Sequence, residues 1–99
     1  MGKTKIYVSG KITGLLESEA LELFEQAEKE CINMGYEPVN PMKLNHDHDK
    51  SWIAYMKEDI IAMMSCDAIY MLNNWENSIG AKIERNIAIE LGFEIIYQP

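Results

Sequence analysis

The stretch KIYVSGKITG (residues 5–14) indicates the class of fold. Its first half is rich in β-branched and aromatic residues and stops at Gly10, which predicts a short strand followed by a glycine-bearing loop. From Glu17 to Met34 the apolar residues recur at intervals of four and three, as on one side of an amphipathic helix, and Gly35 is placed to end that helix. The chain therefore begins with a strand, a loop and a helix.

The alternation of strand and helix continues through the rest of the chain. YEPVNP at residues 36–41 predicts an edge strand, because its two prolines remove ladder donors. We then expect a helix over Trp52–Ser65, a strand covered on both faces over 68–72, a helix from about Ile79 that ends at Gly92, and a last strand over 93–99. This order predicts an α/β fold of three layers, flavodoxin-like or Rossmann-like, in which helices flank a parallel four-stranded sheet of order 2-1-3-4.

Length and charge restrict the classes of protein to consider. Ninety-nine residues make one domain, 1–99, and the formal net charge of -7 argues against a partner that is a long nucleic acid. A small anionic ligand remains compatible with that charge. Two cysteines without a CxxC spacing, no signal-peptide pattern and no run of about 18 apolar residues predict a cytoplasmic protein without a membrane span.

Three loops should surround one crevice, because ligands of such sheets bind outside the carboxyl ends of the strands. These loops are residues 10–14, 41–51 and 73–78. In the first, Gly10 and Gly14 bracket Lys11 and Thr13, which is a weak nucleotide signal since it is neither GxGxxG nor a P-loop.

The other two loops leave alternatives open. Trp75 either stacks on a base or packs within its loop. Ser78 and Gly80 either cradle a phosphate or sugar oxygen, or form an ordinary serine N-cap with a glycine for close packing. HDHD at 46–49 is interpreted as a solvated loop rather than a metal site, because adjacent ligands in one loop are seldom sufficient.

Two acids stand where a helix would favour apolar residues. Glu84 falls in the middle of the apolar side of the last helix, which carries Gly80, Ala81, Ile83, Ile87, Ala88 and Leu91. It is either a structural acceptor for a neighbouring loop or Tyr7, or a functional carboxylate. Asp59 lies on the shoulder of its helix, where an exposed edge is the ordinary interpretation. Paired carboxylates in one pocket are typical of glycosyl chemistry.

Three segments carry a resemblance to a known family. KIYVSGKITG, YMKEDIIAMMSCDAIYML (55–72) and NSIGAKIERNIAIELGFEIIY (77–97) resemble the nucleoside 2-deoxyribosyltransferase-like superfamily. Within it the chain is similar to a short phage-associated domain of unknown function, and the nearest characterised branch is the 2'-deoxynucleoside 5'-monophosphate N-hydrolases.

The resemblance implies roles for single residues. Glu84 corresponds to the glutamate that attacks C1' of the sugar, Asp59 to the aspartate near the glycosidic bond, and Tyr7 to the tyrosine that orients the glutamate. Ser78 and Gly80 correspond to the 5'-phosphate loop, and Gly10 with Gly14 to the glycine-containing first loop. Thr13 occupies the position at which the hydrolases have an arginine. In this chain a phosphate would therefore have to be bound by Lys11 or by backbone amides.

The activity implied is an N-glycosidase with a retaining mechanism, in which the sugar is held on Glu84 until water releases it. Transfer to a second base would make it a deoxyribosyltransferase. The resemblance implies no metal or organic cofactor, a nucleoside or nucleotide as the small-molecule partner, and a homodimer or higher homo-oligomer. The alternatives are a non-catalytic module that binds or sequesters a small nucleotide, and a structural protein that only retains the fold.

Overall fold

Strands and helices alternate along the computed structural model of the chain, which describes residues 2–46 and 50–99. The strands are β1 (Lys5–Ser9), β2 (Glu37–Val39), β3 (Ala68–Met71) and β4 (Glu94–Tyr97), and the helices are α1 (Glu17–Asn33), α2 (Trp52–Met63) and α3 (Ile79–Leu91). Single 3-10 turns at Pro41–Lys43 and Trp75–Asn77 lie in segments expected to be loops.

The sheet has the predicted order. Its four strands are all parallel, in the order β2-β1-β3-β4, which places the proline-bearing β2 at an edge. Tyr7 pairs with Val39 on one side and Ile69 on the other, and Ser9 pairs with Met71. The direction of winding reverses between β1 and β3, so their carboxyl ends are where a ligand crevice is expected.

Helices cover both faces of the sheet. On one face α1 packs its buried stripe of Phe24, Ala27 and Cys31 against Ile6 and Val8. The full burial of a side chain such as Phe24 contributes about 1.5–3 kcal/mol relative to its exposure. The opposite face is covered by α2 and α3, whose core consists of Tyr7, Met63, Cys66, Ile69, Met71, Ala81 and Ala88. The three-layer α/β architecture is therefore confirmed.

The helical spacing of α2 predicts one apolar side, and the structure buries only part of it; the predicted side consists of Ile53, Met56, Ile60, Met63 and Met64. Met56 and Met63 are buried as the spacing indicates, but Ile53 and Met64 are 54% and 46% exposed. Asp59 is buried in their place, at 7% exposure. The cause is that α2 is apolar around most of its circumference, so periodicity could not select the side that meets the sheet. No helix among the described residues is long and apolar enough to cross a membrane.

Gly10 brings the first loop onto the end of β3. A Cβ atom at this position would lie 2.4 Å from Leu72 Cδ1 and 2.7 Å from Leu72 Cβ. Leu72 is itself buried, at 2% exposure, and has little room to move aside. The absence of a side chain at Gly10 is thus a packing requirement between the first loop, which borders the cavity, and the end of β3.

Candidate active site

A cavity of about 730 Å³ opens at the carboxyl ends of β1 and β2. Its walls come from the first loop, the segment after β2, the first turns of α2 and the start of α3. That volume lies within the usual range of small-molecule sites, about 300–1,000 Å³. Residues of all three predicted loops border this cavity, although no residue of β3 lines it, and Glu84, Asp59 and Tyr7 all contribute to its lining.

Glu84 projects from α3 toward β1 and is 4% exposed. The Tyr7 hydroxyl donates a hydrogen bond to its Oε2 at 2.9 Å, and Ser9 Oγ donates one to its Oε1 at 2.6 Å. Both donors come from β1, two residues apart, because alternate side chains of a strand point to the same face. Glu84 thus has one hydroxyl donor on each carboxylate oxygen.

Burial raises the pKa of Glu84 to about 7. The hydroxyls of Ser9 and Tyr7 act in the opposite direction, since they stabilise the anion, while the charge of Asp59 raises the pKa further. Burial, together with the charge of Glu84, also raises the pKa of Tyr7 well above its usual value. The phenol therefore stays protonated and remains a donor to Glu84.

Asp59 is buried rather than on an exposed helix edge. Its Oδ1 atom has no hydrogen-bond partner among the described residues, and His46 Nε2 lies 3.9 Å from it. Burial raises the pKa of Asp59 to about 7, and the charge of Glu58 adds to the effect. Asp59 thus contributes a carboxyl group with unused hydrogen-bonding capacity to the cavity.

The two acids differ in the state they favour. Glu84 has two hydroxyl donors, which stabilise a carboxylate, whereas Asp59 Oδ1 has none within the described part of the chain. Each charge opposes the other, so the pair holds one proton more readily than none near neutral pH. The two hydroxyl donors therefore favour the negative charge on Glu84 over a negative charge on Asp59.

His46 and Tyr55, which were not predicted as site residues, line the same cavity as Asp59. His46 Nε2 donates to the Pro41 carbonyl at 3.0 Å, and its ring centroid lies 4.7 Å from that of Tyr55. Tyr55 was detectable in principle, because it precedes Asp59 by one helical turn.

The interpretation of His46 as part of a solvated loop is wrong, since its side chain is only 13% exposed. The remainder of HDHD, residues 47–49, lies outside the described residues. Within the described part of the chain, no three His, Cys, Asp or Glu residues group as metal ligands would.

The predicted first-loop residues divide into two groups. Gly10, Lys11 and Thr13 line the cavity, and the Lys11 amide donates to Asn74 Oδ1 at 2.9 Å, which ties the first loop to the third. Gly14 has a positive φ of 90° but is not among the residues lining the cavity.

Trp75 also lies outside the cavity lining. The Arg85 guanidinium is 4.7 Å from the centroid of its ring, and the ring of Tyr97 is 6.0 Å away. Of the two alternatives for Trp75, the structure favours packing within its own region over contact with a base.

Ser78 and Gly80 border the cavity, and each also has a local structural task. Ser78 Oγ accepts a hydrogen bond from the Ala81 amide at 3.1 Å, as an N-cap does. A Cβ atom on Gly80 would lie 2.9 Å from Met56 Sδ, so this glycine allows α2 and α3 to approach. Neither residue requires a phosphate to explain it, although both are positioned to contact one.

Fold and site together define a small parallel α/β domain with two buried acids beside a cavity at the carboxyl end of its sheet. Residues 4–97 match the model of a family described as a domain of unknown function, DUF4406. The match covers nearly the whole chain, so the protein belongs to this family. A search of the curated proteins finds no match.

Proposed function

We propose that this protein is an N-glycosidase that cleaves the base–sugar bond of a nucleoside or deoxynucleoside, or of its 5'-monophosphate. The observation that carries the proposal is the position of Glu84, a buried acid with two hydroxyl donors that borders the same cavity as a second buried acid. The resemblance to the nucleoside 2-deoxyribosyltransferase-like superfamily supports the substrate class.

The two acids would divide the chemistry of a retaining reaction. Glu84 Oε2 attacks C1' as the bond to the base nitrogen breaks, and the electron pair of that bond takes the proton of Asp59. The product of this step is a glycosyl ester on Glu84 and a neutral base. Water then attacks C1', gives a proton to the Asp59 carboxylate, and releases Glu84 as a carboxylate. If a second base takes the place of water, the same site acts as a deoxyribosyltransferase.

Lys11 and the backbone amides at the start of α3 would bind a 5'-phosphate. Lys11 is a cation of the first loop that lines the cavity, close to Thr13 in the chain, and helix N-termini favour anions.

The buried cysteines Cys31 and Cys66 form no disulfide, which is consistent with our proposal of a cytoplasmic location.

A non-catalytic module that binds a small nucleotide is the second candidate. The observation in its favour is that both oxygens of Glu84 already have donors within the fold, as a structural acceptor would. This candidate predicts a ligand in the same cavity and no turnover.

The test is a panel of nucleosides, deoxynucleosides and their 5'-monophosphates, with free base followed by chromatography. We expect base release by the wild type and a loss of about 10³-fold or more in Glu84→Gln, which keeps the shape of the side chain but removes its charge. If both proteins release base only at background, the enzyme proposal is wrong for that panel. Calorimetric binding without product would then favour the nucleotide-binding module.

The stereochemistry of the reaction tests the retaining step separately. In buffer that contains methanol, a retaining enzyme gives the methyl glycoside with the configuration of the substrate. An inverted methyl glycoside would exclude a glycosyl ester on Glu84.

A further inference from the structure

Ser9 is buried behind the cavity and contacts the candidate nucleophile. It is the last residue of β1, it is 1% exposed, and its hydroxyl donates to Glu84 Oε1 at 2.6 Å. Tyr7, which holds Oε2, is among the residues that line the cavity, whereas Ser9 is not. Of the two oxygens of Glu84, Oε2 is therefore the one whose donor lines the cavity.

We propose that Ser9 is a positioning residue that selects Oε2 as the attacking atom and favours release of the sugar from Glu84 over its capture. This inference rests on the proposed function, because it concerns the two steps of that reaction. It extends the proposal by naming a residue that acts through Glu84 and does not touch the substrate.

The first part of the inference follows from geometry. A donor at 2.6 Å has the length of a charge-assisted hydrogen bond from a hydroxyl to a carboxylate, about 2.5–2.7 Å. This bond resists rotation of the carboxylate, since an intermediate orientation would lose it. Oε2, whose donor is a cavity-lining phenol, is then the oxygen available to C1' of a bound sugar.

The second part follows from the charge that Ser9 contacts. A hydroxyl donor stabilises a carboxylate more than it stabilises the carbonyl oxygen of an ester. When the ester forms, Glu84 loses its negative charge and the bond from Ser9 weakens. When water displaces Glu84 from C1', the charge returns and the bond strengthens. Ser9 therefore opposes the first step slightly and assists the second.

The titratable groups that face Glu84 act on its ionisation together with Ser9. These are Tyr7 on β1, which donates to Oε2, and Asp59 on α2, whose charge disfavours a second negative charge. Removal of the Ser9 hydroxyl leaves both in place, so a change in the titration of Glu84 would report the Ser9 bond alone.

The experiment compares Ser9→Ala with the wild type and with Cys31→Ala. Cys31 is buried on the opposite face of the sheet, so its substitution destabilises the fold without touching Glu84. The carboxyl groups are titrated by carbon-13 NMR, with Glu84→Gln used to assign the Glu84 signal. We expect Ser9→Ala to raise the midpoint of Glu84 by about one pH unit and Cys31→Ala to leave it unchanged.

Single-turnover and steady-state kinetics test the partition between the steps. At a pH above the raised midpoint, Ser9→Ala should give a burst of free base followed by steady-state turnover about tenfold slower than that of the wild type. The glycosyl ester on Glu84 should accumulate and be visible by mass spectrometry. Ser9→Thr retains a hydroxyl and should show the same relative rates of ester formation and ester hydrolysis as the wild type. If Ser9→Ala does not fold, Ser9→Cys replaces it, because a thiol of similar size is a much weaker donor.

The outcomes separate the two proposals. An unchanged Glu84 midpoint in Ser9→Ala overturns the role of Ser9, whatever the activity. Equal slowing of both steps without a burst also overturns it and indicates a structural role only. If the midpoint shifts as expected but the wild type releases no base, the proposed function fails while the control of Glu84 by Ser9 stands.

Discussion

Asp59 has a buried oxygen that no group in residues 2–46 and 50–99 donates to, and such an oxygen requires an explanation. A buried carboxyl oxygen without a partner costs about 1–3 kcal/mol, and more when the group is charged. Burial and the charge of Glu58 raise the pKa of Asp59, which keeps a proton on the group near neutral pH. A protonated acid beside a buried carboxylate is the arrangement that a leaving base requires.

Asp59→Asn should therefore slow the reaction most for substrates whose leaving group must be protonated in order to depart. We expect a loss of about 10²–10⁴-fold with natural bases, because asparagine cannot supply the proton. The loss should be small with a 2-deoxyriboside whose leaving group departs readily as an anion. The measurement is kcat/KM for both substrate types, with Asp67→Asn as the control, because Asp67 is exposed and precedes β3, at the end of the sheet away from the cavity. An equal loss on both substrates would contradict the role of Asp59 as an acid.

Single residues show where inference from sequence succeeds. Helical spacing alone placed Glu84 among the apolar positions of α3, and the structure buries it there. The contact of Ser9 with Glu84 was not predictable, because it joins residues 75 apart and depends on how α3 sits over β1. Trp75 illustrates the same limit, since its partners Arg85 and Tyr97 come from later elements.

Between elements, the packing of the first loop on the end of β3 depends on Gly10. Gly10→Ala should destabilise the protein by about 1–3 kcal/mol, because the new methyl group would overlap the buried side chain of Leu72. The free energy of unfolding by urea measures the effect. Gly2→Ala is the matched control, since nothing lies within 4 Å of a Cβ at that position. Equal stability of Gly10→Ala and the wild type would show that Gly10 is not held by packing.

The positions of helices and strands along the chain were predicted more reliably than the side on which each helix packs against the sheet. The bounds of β1 and the start of each helix agree with the predictions, because a run of β-branched residues, the helical spacing of apolar residues and the serine N-cap at Ser78 are local signals. The buried side of α2 and the 3-10 turn at Trp75–Asn77 were missed. Both are decided by contacts with other elements, which one sequence does not display.

At the scale of the whole molecule, the outer side of α2 presents apolar surface. Ile53, Ile61 and Met64 are 54%, 69% and 46% exposed. We propose that this side mediates the homodimer that the resemblance implies. Ile61→Lys should shift the sedimentation equilibrium toward monomer. Leu16→Lys, at a residue of similar exposure (68%) before α1, should not. A wild type that stays monomeric at all concentrations tested would contradict the proposal.

Three acids should make the free energy of unfolding depend on pH. Glu84 and Asp59 act in one direction, and Glu30 acts in the other. Glu84 and Asp59 have pKa values raised to about 7, so in the folded state they bind protons that the unfolded chain has released. Their contribution is fully present below the unfolded pKa values, about 4, and is lost as the pH rises through about 7. Hydrogen bonds from Tyr70 and Gln98 lower the pKa of Glu30, which has the opposite effect and reduces stability as the pH falls through its folded pKa.

The protein should therefore lose stability between about pH 5 and about pH 8, since Glu84 and Asp59 together outweigh Glu30. In Glu84→Gln the amide has no proton to lose, and the hydroxyls of Tyr7 and Ser9 can still bond to it. Between these two pH values, the free energy of unfolding of the variant should therefore increase by about 3 kcal/mol relative to that of the wild type, since one pKa unit corresponds to about 1.4 kcal/mol. Urea unfolding of both proteins at each pH measures the difference. Parallel curves for the two proteins would mean that Glu84 titrates in the folded state as it does in the unfolded chain, and that burial does not control its charge.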